Sequence, residues 1–150
     1  MLALKDFTTL SKSESKMVWE WRNHNKVCEF MKTKNIPFEM HCAFLESLKL
    51  DSTKLYFLVF KDSMPIGVVD FVNIKKNESC EFGIYQNPNL HGFGKILMEA
   101  MLNYAKDTLK LKRIYACAFV ENKRAEALYL HFGFKIYNKD KAMNYFSLLL

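Results

Sequence analysis

Two glycines, Gly92 and Gly94, stand between an apolar, strand-like run at residues 81–85 and a long helical pattern that begins at Gly94. Backbone N–H groups at the start of a helix have no intrahelical partner, and the helix dipole is positive there. Glycine lets the backbone approach an anion because it has no Cβ. The spacing therefore suits a phosphate-binding turn, although a bare G-x-G more often marks an ordinary strand-to-helix loop.

A carboxylate, Asp70, interrupts the apolar run of residues 67–72. An unpaired charge inside a protein is costly, so a carboxylate in such a strand needs a reason. One reason is chemical, because the carboxylate can remove a proton from an amine directly or through a water. The alternative is an edge-facing or salt-bridged residue without a chemical role.

The composition predicts one globular domain spanning residues 1–150. Apolar residues make up 50% and charged residues 25% of the chain, and no window approaches the roughly 20 apolar residues of a membrane span. Lys5 and Asp6 come too early for a signal peptide, so we expect a cytoplasmic protein. The four cysteines are widely spaced without a C-x-x-C pair, which predicts reduced thiols and no metal site.

The chain carries a formal net charge of +6, which admits a nucleic-acid partner or a small polyanion. No run of lysine and arginine exceeds two residues. We therefore expect no nucleic acid and no membrane as partners. The charge is interpreted as a scattered solvated surface, with attraction to a nucleotide as the second interpretation.

The predicted elements are of the α/β class, in an α+β order. Ser11 and Glu14 form a capping-box pattern that opens a first helix ending near Asn23, and Pro37 suits the first turn of a second helix. An antiparallel meander follows, and then a helix, a parallel crossover strand, a short helix and two final strands. After a short first strand at residues 2–7, these later elements lie at residues 55–61, 66–75, 79–85, 94–109, 113–120, 122–132, 134–138 and 144–150.

A second motif begins about thirty residues after the glycine pair and reads Asn122-x-x-Ala125-x-x-Leu128-Tyr129-x-x-x-Gly133-Phe134. With the strand, G-x-G and helix before it, it resembles the GNAT superfamily of N-acetyltransferases. The order of elements agrees with that family over essentially the whole chain. One position departs from the family's Arg/Gln-x-x-Gly-x-Gly loop, because Asn89 stands at the Arg/Gln position.

The resemblance implies a single GNAT domain, with a central mixed sheet of about six or seven strands flanked by about four helices and a splayed parallel strand pair. It implies direct transfer of acetyl from acetyl-coenzyme A, the co-substrate, to an amine. Tyr129 would protonate the departing thiolate, and Asp70, Glu81 or water would be the base. Asn122 would bond the coenzyme's arm or cap its helix. The implied cofactor-binding residues are Phe82, Ile84, Tyr85, Leu90, His91, Gly92, Phe93, Gly94, Lys95, Asn122, Ala125 and Tyr129.

A narrower resemblance begins at Trp21-Arg22-Asn23-His24 and extends through residues 56–58 and 66–71. These segments are similar to the nucleotide-sugar N-acetyltransferases of pseudaminic acid biosynthesis, a flagellin-glycan pathway. Such enzymes acetylate the 4-amino group of a UDP-linked 4-amino-4,6-dideoxy-N-acetyl sugar, so the resemblance implies a UDP-amino sugar as the partner. The predicted substrate-binding residues are Arg22, His24, His41, Phe71 and Tyr85, with Phe30, Met31 and Phe44 as further apolar walls.

Three alternatives stay open at the level of sequence. A GNAT enzyme acetylating a protein N-terminus or a peptide amine is disfavoured by the net charge of +6, because such enzymes often carry an acidic groove. A nucleic-acid-binding module lacks the basic cluster it needs. A coenzyme-binding regulator without turnover is disfavoured only weakly by the intact Tyr129. The oligomeric state is open between a monomer and a homodimer.

Overall fold

The computed structural model describes residues 1–150 and contains one seven-stranded sheet and five α-helices. The strands are β1 (Leu2–Asp6), β2 (Leu55–Lys61), β3 (Met64–Lys75), β4 (Ser79–Gln86), β5 (Arg113–Phe119), β6 (Lys135–Lys139) and β7 (Met143–Leu149). The helices are α1 (Lys12–Asn23), α2 (Asn25–Cys28), α3 (Phe38–Leu48), α4 (Gly94–Asp107) and α5 (Lys123–His131). A short 3-10 helix, Phe7–Thr9, connects β1 to α1. No helix combines the length and the apolar character that a membrane span requires.

The strands lie in the order β1-β2-β3-β4-β5-β7-β6, and β4 and β5 form the one parallel pair. The two are joined through α4, as the crossover pattern predicted. Their pairing is confined to residues 79–81 on β4 and 113–115 on β5. Because both strands continue well beyond these residues, they diverge and leave a gap between them. The predicted mixed sheet with a splayed parallel pair is confirmed.

Helices cover both faces of the sheet, because successive strand side chains point to opposite sides. The face covered by α4 and α5, called here the α4 face, holds the larger core, which includes Leu97, Met101 and Phe146. The face covered by α1 and α3, called the α1 face, holds a smaller core around Val18 and Trp21. The four cysteines form no disulfide, and no group of three or more His, Cys, Asp or Glu side chains is placed to hold a metal ion.

Two features differ from the sequence-based prediction, and a third was left open by it. The additional helix α2 follows α1 directly, and the His24 ring caps it by accepting a hydrogen bond from the second backbone N–H beyond it, at 3.1 Å. The β2–β3 hairpin turns on Asp62 and Ser63 alone, with φ of 49° and 70°, so the two residues after them belong to β3 rather than to the turn. The last strand, β7, lies between β5 and β6.

Candidate active site

The turn between β4 and α4 leaves the first N–H groups of the helix free. Gly92 has a φ of +81°, a conformation that L side chains rarely adopt. Asn87 fastens the start of the turn to β3, because its N–H donates to Ile66 O (2.9 Å) and its Nδ2 donates to Pro65 O (3.0 Å). No side chain caps α4, so the N–H groups of residues 94–96 have no partner in the protein.

This uncapped helix start fits the pyrophosphate of coenzyme A, which needs several N–H donors and a positive potential. The side chain of Asn89, at the position where the family has Arg or Gln, is exposed and makes no hydrogen bond. The structure brings together in this turn and the first helical turn the predicted residues Leu90, His91, Gly92, Phe93, Gly94 and Lys95. Their contact with the coenzyme stays a prediction.

Gln86, the last residue of β4, connects the two ends of the turn, a role that no sequence motif predicted. Its Nε2 donates to Leu90 O at 2.6 Å, and its Oε1 accepts from the Phe93 N–H at 2.7 Å. The sequence offered one indication of this role, the position of Gln86 directly before the turn. An amide side chain there can bond to both a donor and an acceptor across the turn.

The helix α5 begins just after β5 and passes the start of α4 at Leu128. Asn122 caps α5, since its Oδ1 accepts from the Ala125 N–H at 3.2 Å, so the capping role predicted for Asn122 is confirmed. A Cβ built on Gly94 would lie 3.4 Å from Leu128 Cδ2. Gly94 thus lies within ordinary van der Waals reach of the Leu128 side chain on α5.

The backbone of β4 lines one side of the gap. The Asn87 N–H bonds to Ile66 O on β3, and hydrogen-bond direction alternates along a strand. Phe82 and Ile84 therefore direct their backbone groups at the gap, as a contact with the pantetheine arm requires. The backbone N–H and C=O of Tyr85 face β3 instead. The predicted contact between the Tyr85 backbone and the coenzyme is therefore wrong.

Tyr129 lies on α5 with its ring in the core and only 7% of the residue exposed. Its ring centroid is 5.3 Å from that of Phe82 and 5.1 Å from that of Phe146. The hydroxyl makes no hydrogen bond within the protein, and its oxygen is not enclosed. Burial raises the pKa of Tyr129, and the charge of Asp70 raises it further. The phenol therefore stays protonated, and its hydroxyl can donate a hydrogen bond.

Asp70 lies on the α1 face of β3, partly buried, opposite Tyr56 on β2 and Gly83 on β4. Gly83 provides its space, because a Cβ there would lie 2.6 Å from Asp70 Oδ2. Asp70 takes part in no salt bridge. Burial raises the pKa of Asp70 to about 7, against the lowering effects of the Gly83 backbone and the Arg22 guanidinium. A carboxyl group with a pKa near neutrality suits proton uptake at physiological pH.

Arg22 approaches the same region from the end of α1. Its Nη2 donates to Thr33 O at 2.9 Å, whereas its Nη1 is buried without a partner. Burial and the charge of Asp70 raise the pKa of Tyr56 and of Tyr85, and the Arg22 charge opposes both rises. Arg22, Asp70 and the two tyrosines thus form one electrostatic cluster, in which Nη1 is a donor without an acceptor.

The other predicted base, Glu81, lies on the α1 face of β4 but is exposed. Its Oε2 accepts a hydrogen bond from Asn73 Nδ2 at 2.8 Å. Because water and an amide already solvate this carboxylate, its surroundings are those of an ordinary surface acid. Desolvation therefore distinguishes Asp70 from Glu81, and which of them acts as the base stays a prediction.

Three predicted substrate residues have other surroundings. His41 is only 7% exposed, and its Nε2 lies 3.0 Å from Ser15 O, which joins α3 to α1. His24 is exposed and caps α2. For both histidines, contact with the nucleotide stays a prediction. The prediction that Phe71 contacts the substrate is wrong, because its side chain lies fully buried on the α4 face, with its ring 5.5 Å from that of Tyr104.

A cleft of about 330 Å³ opens where the segment between α2 and α3 faces the end of β5. Phe30 and Met31, two of the residues predicted as apolar walls of the substrate pocket, line this cleft. Another lining residue, Glu121, directly precedes Asn122 in the sequence. The third predicted wall, Phe44, instead packs on Tyr56 with ring centroids 4.9 Å apart. The residues lining the cleft are Glu29, Phe30, Met31, Lys32, Lys34, Phe119 and Glu121.

The family model described as an acetyltransferase (GNAT) domain matches residues 6–135, most of the chain. The protein therefore belongs to the GNAT family of acetyltransferases, as its two sequence motifs indicated. The gap between β4 and β5 and the uncapped start of α4 are the parts of this fold that the family resemblance predicts to hold coenzyme A.

Similarity to known proteins narrows the class further. Two proteins of Campylobacter jejuni subsp. jejuni, each named Acetyltransferase PseH, are 49% and 46% identical to the chain over 141 and 148 residues, which is 94% and 99% of this chain and 89% and 94% of theirs. The crystal structure of Campylobacter jejuni N-acetyltransferase PseH in complex with acetyl coenzyme A matches with a TM-score of 0.88 at 44% identity, over 99% of both chains. A Vibrio cholerae spermidine N-acetyltransferase, in complex with CoA and spermine, shares the fold, with a TM-score of 0.86 at 22% identity over 99% of this chain and 95% of that one.

Proposed function

We propose that this protein transfers the acetyl group of acetyl-coenzyme A to the 4-amino group of a UDP-linked 4-amino-4,6-dideoxy sugar in pseudaminic acid biosynthesis. The observation that carries the proposal is the 46–49% identity to PseH acetyltransferases over nearly the whole chain. The site geometry supports the chemistry independently, because it separates an anion-binding turn from a desolvated carboxylate.

The coenzyme would bind from the α4 face. The free N–H groups of residues 94–96 would donate hydrogen bonds to the pyrophosphate, and Lys95 would add a positive charge in the first turn of α4. The backbone of Phe82 and Ile84 would bond the pantetheine arm as an added strand would. This arm would place the thioester in the gap beside Tyr129.

The acceptor would bind on the α1 face. The Nη1 of Arg22 is a buried donor without a partner, and a guanidinium suits a diphosphate because its fork can bind two oxygens at once. Phe30 and Met31 in the cleft offer apolar surface for the uracil ring. The amine of the sugar would then reach Asp70 from the side opposite to the coenzyme.

The proton of the ammonium group would pass to Asp70, directly or through a water. Because the pKa of Asp70 is about 7, the carboxylate is ionised above neutrality and yet basic enough to accept a proton. The neutral amine then attacks the thioester carbonyl carbon, so that the C–N bond forms and the C–S bond breaks. The nitrogen loses its second proton through water as the amide forms, and this proton replaces the one that Tyr129 gives to the departing sulfur. Glu81 or a water alone is the alternative base.

Tyr129 would stabilise the sulfur as it leaves. Burial makes the phenol a weaker acid, but the same apolar surroundings raise the proton affinity of a thiolate. The hydroxyl is therefore a hydrogen-bond donor throughout, and it completes the proton transfer once charge develops on sulfur. Its lack of a partner within the protein leaves it available for this role.

The test is an acceptor panel with purified protein and acetyl-coenzyme A, in which released thiol is measured. The panel contains the UDP-4-amino-4,6-dideoxy sugar, the same sugar without the nucleotide, spermidine and a lysine peptide. Turnover is expected with the UDP-sugar and much less without the nucleotide, because the Arg22 contact is then lost. Turnover with the peptide or spermidine but not with the sugar would refute the proposal and favour the peptide-amine or polyamine reaction.

A further inference from the structure

Gln86 joins the two ends of the turn that precedes α4. Its Nε2 donates to Leu90 O (2.6 Å), and its Oε1 accepts from the Phe93 N–H (2.7 Å). The orientation of the amide is fixed, because a backbone carbonyl can only accept and a backbone N–H can only donate. One side chain on the end of a strand therefore fixes the shape of the loop just before the helix start.

The two hydrogen bonds of Gln86 determine which N–H groups at the start of α4 are free to bind a ligand. Phe93 is the cap residue of the helix, and its own N–H is consumed by Gln86. The first intrahelical bond runs from the Leu97 N–H to Phe93 O, at 3.0 Å. The N–H groups of residues 94–96 are thus left as a set of three, held in the orientation that the position of Phe93 imposes.

Neighbouring contacts do not duplicate this function. Asn87 holds the start of the turn to β3 through Pro65 and Ile66, but it does not reach Phe93. Asn89 stands where the family motif has Arg or Gln, and its side chain makes no hydrogen bond. Gly92 has a φ of +81° and no side chain, so its own backbone leaves the conformation of the turn loosely constrained. Asn87 Oδ1 also accepts from the Asn89 N–H at 3.0 Å, but Gln86 is the side chain that bonds to the backbone on both sides of Gly92.

We propose that Gln86 is a positioning residue for the coenzyme, which holds the turn so that the first-turn N–H groups of α4 meet the pyrophosphate. The inference rests on the proposed use of coenzyme A, but it does not depend on which amine is the acceptor. Gln86 acts through the backbone of Leu90 and Phe93 and has no assigned contact with the reacting atoms.

The decisive variant is Gln86→Met, which keeps length and neutrality but removes both hydrogen bonds. Calorimetric titration with coenzyme A should show binding about tenfold weaker, the usual effect of losing preorganising bonds at an anion site. S-acetylpantetheine lacks the pyrophosphate, so its kcat/KM should change less than about twofold. Gln86→Glu should bind coenzyme A no better than Gln86→Met, because its carboxylate cannot donate to Leu90 O.

The matched control is Asn138→Ala on the edge strand β6. Asn138 Oδ1 accepts from the Lys139 N–H at 2.9 Å, so this variant loses the same kind of bond far from the turn. Its affinity for coenzyme A should be that of the wild type. Equal losses of Gln86→Met with coenzyme A and S-acetylpantetheine, or no loss with either, would overturn the inference. Absence of coenzyme binding by the wild type would overturn the proposed function too, whereas turnover with another amine would overturn only the acceptor assignment.

Discussion

Asp70→Asn is expected to stabilise the protein at alkaline pH while it removes activity. Burial raises the pKa of Asp70 from an ordinary 3.8 to about 7. Between these values the folded protein holds a proton that the unfolded chain has released, so stability falls as the pH rises and the loss is complete above pH 7. A shift of about three units at ~1.36 kcal/mol each sets an upper limit of about 4 kcal/mol.

The expected gain in melting temperature follows from this limit. Because water reaches the partly buried carboxylate, we take about half of the limit, ~2 kcal/mol, as the working value. At about 2–4 °C per kcal/mol, the Tm of Asp70→Asn should exceed that of the wild type by about 4–8 °C at pH 8.5. At pH 5 the folded wild type still holds the proton that it has lost at pH 8.5, so the excess in Tm should be smaller at pH 5.

The assay is thermal unfolding followed by circular dichroism, with both proteins measured at pH 5 and pH 8.5. The control is Asp51→Asn. The Thr53 hydroxyl and backbone N–H hold the pKa of Asp51 below its usual value, so Asp51 is ionised at both pH values. The Tm difference between Asp51→Asn and the wild type should therefore be the same at pH 5 and at pH 8.5.

Two results would refute the reasoning about Asp70. If the Tm difference between Asp70→Asn and the wild type does not grow with pH, the carboxyl group is not destabilised by ionisation. If the variant gains stability but keeps the wild-type kcat, Asp70 is desolvated without being the base, and Glu81 or water takes that role. A loss of about 10²–10⁴ in kcat is the expectation for a missing general base.

Three further variants test the rest of the site. Tyr129→Phe should lower kcat about 100-fold with little change in the affinity for coenzyme A measured by titration; an unchanged kcat would remove the phenol from the mechanism. Gly83→Ala should lower kcat about tenfold, because its Cβ would lie 2.6 Å from Asp70 Oδ2, and the loss should vanish in an Asp70→Asn background; a full additional loss there would mean that Gly83 acts elsewhere. Arg22→Lys keeps the charge but loses the fork, so the KM for the UDP-sugar should rise about tenfold while that for acetyl-coenzyme A stays constant, and a rise in both would point to general damage.

Local patterns in the sequence were enough to predict most of the fold. The capping box at Ser11 and Glu14 forms with both of its hydrogen bonds, because those two residues satisfy each other without help from the rest of the chain. The crossover through α4 had to be right-handed and parallel. The position of β7 between β5 and β6 could not be read, because two adjacent antiparallel strands fit either order by their own pattern.

The candidate site was only partly predictable, for two different reasons. Phe71 follows Asp70 on the same strand, so the two side chains must point to opposite faces, and strict use of this alternation would have excluded Phe71 from the pocket. The contacts of Gln86 and of Arg22 Nη1 depend on backbone groups brought together by folding. No spacing in the sequence records such contacts.

The gap between β4 and β5 is where the proposed chemistry can bring together groups from both faces of the sheet. The anion-binding turn and the ring of Tyr129 belong to the α4 face, while Asp70 and Arg22 belong to the α1 face. A continuous sheet would separate the two sets of groups. The charge of Asp70 nevertheless contributes to raising the pKa of Tyr129, after the larger effect of burial. A thioester lying in the gap is therefore within electrostatic reach of both groups, so a nucleophile from one face can meet an acyl donor from the other.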